Sequence, residues 1–257
     1  MNKKVDFKGS VILNPVPVVL ITSKNKEGKE NVFTVAWTGT VCTKPPMLSI
    51  SVRPERLSYE YIKETMEFTV NLPTSKMTKA VDYCGVRPGR KFDKIKEMNF
   101  TMKEGTNISV PYIDECPISI ECKVKSIIPL GTHDLFIADV VGSHVDSNLM
   151  DEKGKIHFEE ADLITYCHGE YFKMDKYPLG KFGYSIAKKP VAIKDNIIST
   201  GKENNTDNTK EKDLAKHKSR NKNNNYKSSN LSKKRKSSSS KPKNRKKITT
   251  STRRKTK

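Results

Sequence analysis

NVFTVAWTGTVCTKPPMLSISVRPERLSYEYI, residues 31–62, is the stretch on which the fold of this chain turns. Asn31 to Thr40 reads as one extended strand. Side chains alternate across a strand, which puts Asn31, Phe33, Val35 and Trp37 on one face and Val32, Thr34, Ala36 and Thr38 on the other. Pro45-Pro46 then interrupts, because proline has no N–H to give to a strand interior. Met47 to Val52 reads as the next strand. Pro54 to Glu64 reads as a helix with Leu57, Tyr61 and Ile62 on one face.

Upstream, Val16 to Thr22 is a buried strand, and the polar run Ser23 to Glu30 turns the chain back, with Gly28 free to take a positive φ. This makes a hairpin with the strand from Asn31. Downstream, Glu67 to Leu72 is a strand stopped by Pro73. Lys76 to Tyr83 is a short helix with Ser75 as its cap, and Cys84-Gly-Val-Arg-Pro-Gly-Arg-Lys91 is a loop. Ile118–Ile128 and Asp134–Val145 form a second hairpin around Pro129-Leu-Gly-Thr-His133. A short strand follows at Leu163–Cys167. At least seven strands and only two helices, joined mostly by turns, predict a mainly β protein. The architecture is an antiparallel, Greek-key barrel with a few short helices, and not a parallel α/β sheet.

The formal net charge is +20, which taken alone points toward nucleic acid. Residues 201–257 hold 21 Lys+Arg against 4 Asp+Glu, however, and leave the first 200 residues with 28 against 25. The basicity belongs to a tail rich in Lys, Ser and Asn. Such a composition cannot bury enough apolar surface to offset its chain entropy. The expected division is a folded domain over residues 1–198 and a disordered basic tail over 199–257. The runs Lys233-Lys-Arg-Lys236 and Arg245-Lys-Lys247 suit a polyanion, with Tyr226 the single aromatic for base stacking.

The five cysteines are scattered without a Cys-x-x-Cys pair, and His144, His157 and His168 lack metal-ligand spacing, so neither a metal site nor a disulfide framework is expected. No stretch approaches a transmembrane span, and the apolar start is broken by Asn14, Pro15 and Pro17. The expectation is a cytoplasmic protein.

Two segments could carry chemistry. Trp37, on a strand beside small and hydroxyl residues, suits either a barrel core or the border of a flat aromatic ligand. Arg53 and Ser58, at a strand end and a helix start, suit either an anion such as phosphate or a plain helix start with a solvated arginine. There is no catalytic triad and no Gly-x-Gly-x-x-Gly loop, and no residue declares itself catalytic.

Together the quoted stretch, Asn14–Ser23 (NPVPVVLITS) before it, Glu67–Pro73 (EFTVNLP) and Cys84-Gly85 after it, and the later Gly131-Thr-His-Asp134 and Tyr166 resemble the flavin reductase-like family. This is the FMN-binding split barrel group that includes flavoredoxins. The resemblance covers roughly residues 8–190. It implies a homodimer that binds FMN and works as an oxidoreductase, either an NAD(P)H-dependent flavin reductase or a flavoredoxin-like electron carrier. It places Asn31, Thr34, Trp37 and Thr38 near the flavin, and Arg53 and Ser58 near the ribityl phosphate. Lys91, not separable from Arg90, lies near the cofactor. His133 and Tyr166 border the isoalloxazine ring, and Asn71 lines the pocket. The competing reading is a protein that binds nucleic acid or another anionic partner through the tail.

Overall fold

The structure is a computed structural model that describes residues 3–187. The expected tail, and the boundary at residue 198, lie outside the described residues.

The chain runs through β1 (Val16–Pro17), β2 (Val19–Lys24), β3 (Glu30–Val35), β4 (Thr38–Thr43), β5 (Pro46–Val52), α1 (Leu57–Thr65), β6 (Glu67–Leu72) and α2 (Thr78–Val86). It continues through α3 (Lys94–Glu97), β7 (Met102–Lys103), β8 (Tyr112–Ile113), β9 (Ile118–Pro129), β10 (Asp134–Val145), β11 (Ile164–Cys167) and β12 (Glu170–Lys173). One seven-stranded antiparallel sheet, ordered β3-β2-β6-β9-β10-β5-β4, carries the fold. The sequence neighbours β3 and β4 are its two edges. A sheet whose edges are consecutive in the chain must curl on itself; the backbone N–H of Ser51 donates to the Trp37 carbonyl at 2.9 Å, which carries the β4–β5 ladder back to the break between the two edges. The result is a mainly β antiparallel barrel with Greek-key order.

The interior is filled by inward residues of six of these strands, among them Ile21, Phe33, Ile50, Phe68, Cys122 and Phe136. Helix α1 adds Ile62 to this core and lays Tyr59 edge-on against Phe136, with centroids 5.6 Å apart. A second apolar layer lies on the outer face. There Val18, Leu20 and Val32 pack against Val81 and Cys84 of α2, Ile113 of β8 and Ile164 of β11. Strand β2 is therefore buried on both faces, which is why its sequence is an unbroken Val-Leu-Ile run and does not alternate.

The hairpin turn is tighter than the sequence suggests: Lys24 still pairs with Glu30, and Gly28 takes φ +84° in the turn. The expected strand Asn31–Thr40 is two strands. Val35 ends its pairing with β2, Ala36 and Trp37 cross the gap, and Thr38 begins pairing with β5 on the opposite edge. The face alternation therefore holds only to Val35. Helix α2 runs on through Cys84, Gly85 and Val86, which the sequence assigned to a loop. Ser75 does not cap: its hydroxyl donates to Asp162. Strands β7, β8 and β12 and helix α3 are additions that the sequence did not announce.

Candidate functional site

The barrel seam at Ala36-Trp37 is also where loops converge. A cavity of about 290 Å³ lies there, lined by Thr34, Trp37, Arg53, Arg56, His133 and Tyr166, with Tyr171 beside Tyr166. The two tyrosine rings meet edge to face at 5.6 Å. This end is an aromatic slot. His133 comes from the β9–β10 turn, and Tyr59 fixes that turn to α1 by donating to Asp134 Oδ2 at 2.6 Å. Burial, and next the Arg53 charge, push the His133 imidazole below its usual pKa, so the neutral ring is favoured.

A second cavity, about 260 Å³, shares Phe33 and Arg56 with the slot and is lined further by Asn31, Ser58, Arg87, Gly89, Arg90 and Lys94. This end is cationic. Ser58 sits in the first turn of α1, where backbone N–H groups lack helical partners. Its Oγ accepts from Ser23 Oγ and from Asn31 Nδ2, both at 2.7 Å, which leaves its own proton uncommitted. Lys94 is 3% exposed, and its one hydrogen bond goes to the Cys84 carbonyl at 3.2 Å. Among the described residues it has no carboxylate partner. Burial drives its ammonium down to a pKa of about 8. A buried, unpaired lysine is costly unless an anion completes it. Gly89 matters for shape: a Cβ there would stand 2.5 Å from Asn31 Oδ1, so any side chain would close the cavity wall onto Asn31.

The cationic cavity opens into a wider one of about 740 Å³, lined among others by Lys29, Tyr61, Arg90, Lys91, Phe92 and Lys94.

The expected site residues divide accordingly. Thr34, Trp37, Arg53, His133 and Tyr166 share the slot, and Asn31 and Ser58 share the cationic cavity. Thr34 Oγ1 is already committed to the Val81 carbonyl at 2.5 Å. Lys91 lines only the wide cavity. Thr38 lies outside all three and donates to the Ser49 carbonyl across the β4–β5 ladder. Asn71 is fully buried elsewhere: its Nδ2 donates to the Leu20 carbonyl, and its Oδ1 accepts from Ile113 N–H and Ser119 Oγ. It stitches β2, β6, β8 and β9 together. Arg56, Arg87, Lys94 and Tyr171 were not singled out from sequence. Arg87 and Lys94 flank the glycine loop, and a basic cluster there was the available signal.

A model of the flavin reductase like domain matches residues 13–175. The chain belongs to the flavin reductase-like family. Among solved structures that it resembles, the flavoredoxin of Methanosarcina acetivorans is 28% identical, covering 72% of this chain and all of that one, with a TM-score of 0.65. Nitrilotriacetate monooxygenase component B of Bacillus cereus is 30% identical, over 68% and 97%, with a TM-score of 0.61. The flavoredoxin of Desulfovibrio vulgaris (Miyazaki F) is 24% identical, over 71% and 100%, and at a TM-score of 0.67 shows the fold, a split barrel. Membership of the flavin reductase-like family gives this protein flavin as its general class of cofactor and oxidation–reduction as its general class of chemistry. Among the described residues no helix is long and apolar enough to cross a membrane.

Proposed function

We propose that this flavin reductase-like protein binds FMN across the slot and the cationic cavity, and that it is an NAD(P)H-dependent flavin reductase or a flavoredoxin-like electron carrier. One observation carries the reading. An aromatic slot continuous with an arginine-lined cavity around an unpaired buried lysine matches a flat ring system with a phosphate at its far end. The residues present fit the group. Lys94 lacks an anion, Ser58 has a free proton, and Arg56 and Arg87 flank them.

The bound flavin would supply the redox chemistry, accepting a hydride and passing electrons on. The chain's own residues bind and orient. Trp37, Tyr166 and Tyr171 wall the ring and exclude water. Neutral His133 offers a hydrogen bond to the ring's polar edge, and Asn31, in the cationic cavity, holds Ser58 in place by donating to its Oγ. Arg53 and Arg56 keep the mouth positive, which favours an anionic nicotinamide nucleotide as reductant. Thr38 and Asn71 act through the barrel frame. A homodimer is part of this reading. Val11, Ile12 and Leu13 before β1 and Leu179, Phe182 and Ile186 after β12 stand exposed, and Trp37 is 39% exposed. A second copy would bury such surface.

The test is an absorption spectrum of purified protein mixed with FMN and then, without oxygen, with NADH or NADPH. Bound flavin that bleaches on addition of nicotinamide supports the reductase. Bound flavin that bleaches only with a protein donor supports the carrier. Protein that takes up no FMN refutes both. The competing anionic partner for the basic tail rests on residues outside those described.

A further inference from the structure

Ser58 and Tyr59 are neighbours in the first turn of α1 and serve different ends of the site. Ser58 lines the cationic cavity. Tyr59 reaches β10 and donates to Asp134 Oδ2 at 2.6 Å, one residue from His133 of the slot. We propose that Tyr59 is a positioning residue that acts through His133. It holds the imidazole at a fixed span from the phosphate end, so that a ligand anchored by its phosphate meets His133 without rearrangement. The inference rests on the FMN reading and deepens it.

Three observations support it. The turn that carries His133 has little packing of its own. Residues 128–132 are all exposed, and Gly131 takes φ +104°. The Leu130 N–H donates to the His133 carbonyl at 2.9 Å, which shapes the turn without tying it to α1. The bond from Tyr59 to Asp134 makes that tie. Tyr59 is also held on several sides. Its ring meets Phe136 edge-on, and Lys63 Nζ stands 5.4 Å from its centroid. Its backbone N–H donates at 3.0 Å to the carbonyl of Arg56, which lines both cavities. A strut fixed before the ligand arrives spares binding the cost of ordering it. Finally, the His133 ring is half committed. Thr132 Oγ1 lies 2.9 Å from its Nδ1, which leaves Nε2 as the nitrogen for a ligand. A bond through one nitrogen weakens steeply when the ring is displaced. FMN seated on Ser58 cannot slide to follow it.

The experiment is fluorescence titration of the flavin-free full chain with FMN in wild type, Tyr59→Phe, His133→Ala and the double variant. Thermal unfolding of each reports the fold. Tyr59→Phe removes one oxygen and keeps the ring against Phe136. Each single variant should bind FMN about fivefold more weakly, and the double variant no more weakly than His133→Ala. Asp134→Ala should reproduce the loss from the other end of the bond, and it takes the place of Tyr59→Phe should that variant fail to fold. Asp134→Asn keeps an oxygen acceptor for the tyrosine and should stay within about twofold of wild type. A tyrosine that only supports the fold would give losses that multiply, about 25-fold in the double variant. That result overturns the proposal. So does undiminished FMN affinity in Tyr59→Phe or in His133→Ala, or an Asp134→Asn as weak as Asp134→Ala. Each of these leaves the FMN reading intact. Wild-type protein that takes up no FMN overturns both.

Discussion

Replacing Lys94 by Met should stabilise the free protein and weaken its hold on FMN. The two effects have one cause. The ammonium is 3% exposed, and burial lowers its pKa from 10.5 to about 8. In the unfolded chain it stays near 10.4. Below pH 8 both states are protonated, and the folded state carries the whole penalty, about 3 kcal/mol for such a shift. Between pH 8 and 10.5 the folded state has released the proton and the unfolded state has not. The unfolded state then binds more protons, so stability rises with pH across this window and the penalty shrinks to below about 1 kcal/mol at pH 10. Met fills similar volume without the charge. It forfeits the hydrogen bond to Cys84, about 1 kcal/mol. The net gain expected for Lys94→Met is about 2 kcal/mol at pH 7 and near zero at pH 10. Urea unfolding of flavin-free protein at both pH values measures it. Binding should move the other way. Loss of a buried charge-assisted contact to phosphate costs about 2–3 kcal/mol, a 30- to 150-fold weaker FMN affinity, with riboflavin affinity unchanged. In the wild type, FMN affinity should fall as pH rises through 8, while riboflavin affinity stays flat. A variant less stable than wild type at pH 7, or one with undiminished FMN affinity, would refute the reasoning.

Four further outcomes are expected. Trp37→Ala should weaken FMN binding about tenfold by removing a wall of the slot, whereas His144→Ala, whose ring stacks on Tyr112 away from the slot, should leave it unchanged; fluorescence titration compares the two. Gly89→Ala should cost about 1–3 kcal/mol in thermal unfolding and lower FMN affinity, because the added Cβ meets Asn31 Oδ1. Glu121→Gln should cost about 3 kcal/mol at pH 7. Burial raises the pKa of this carboxyl, but bonds from His144, Asn107 and Thr106 outweigh it and hold the group below its usual range. The wild-type advantage is therefore present above about pH 4.3 and lost as pH falls below it, which unfolding at pH 7 and pH 3 would show. Asn71→Leu should cost about 2–4 kcal/mol by stranding Ile113 N–H and Ser119, yet the folded fraction should bind FMN with unchanged affinity; a selective loss of FMN binding would return Asn71 to the pocket.

The sequence by itself determined the elements whose limits are local. Strand β6 ends at Leu72 because Pro73 follows, and β10 spans Asp134–Val145 as expected because Gly131 and the polar turn before it leave no other start. It determined the class as well, since short β-branched runs joined by turns make an antiparallel barrel. It brought Trp37, Arg53, His133 and Tyr166 to attention as members of one family-like set, and the fold brings them to one cavity.

Tertiary structure decided what depends on closure. Nothing in Thr34-Val-Ala-Trp-Thr38 breaks a strand locally. The break at Ala36-Trp37 exists because Val35 pairs at one edge of the sheet and Thr38 at the other, and a flat strand cannot serve both once the sheet curls. Helix α2 continues through Gly85 despite glycine's poor helix propensity, at a point where an added Cβ would stand 3.4 Å from the Thr34 side chain of β3. Lys94 lies in the charged run Asp93-Lys-Ile-Lys-Glu97, which reads as a solvated surface, and only the return of the chain past Cys84 and Arg56 encloses it. Burial is a property of the whole fold and leaves no mark on neighbouring residues. The basic cluster around the glycine loop was legible in the sequence, as was the aromatic wall opposite, but which of its cations is the buried, unpaired one was not.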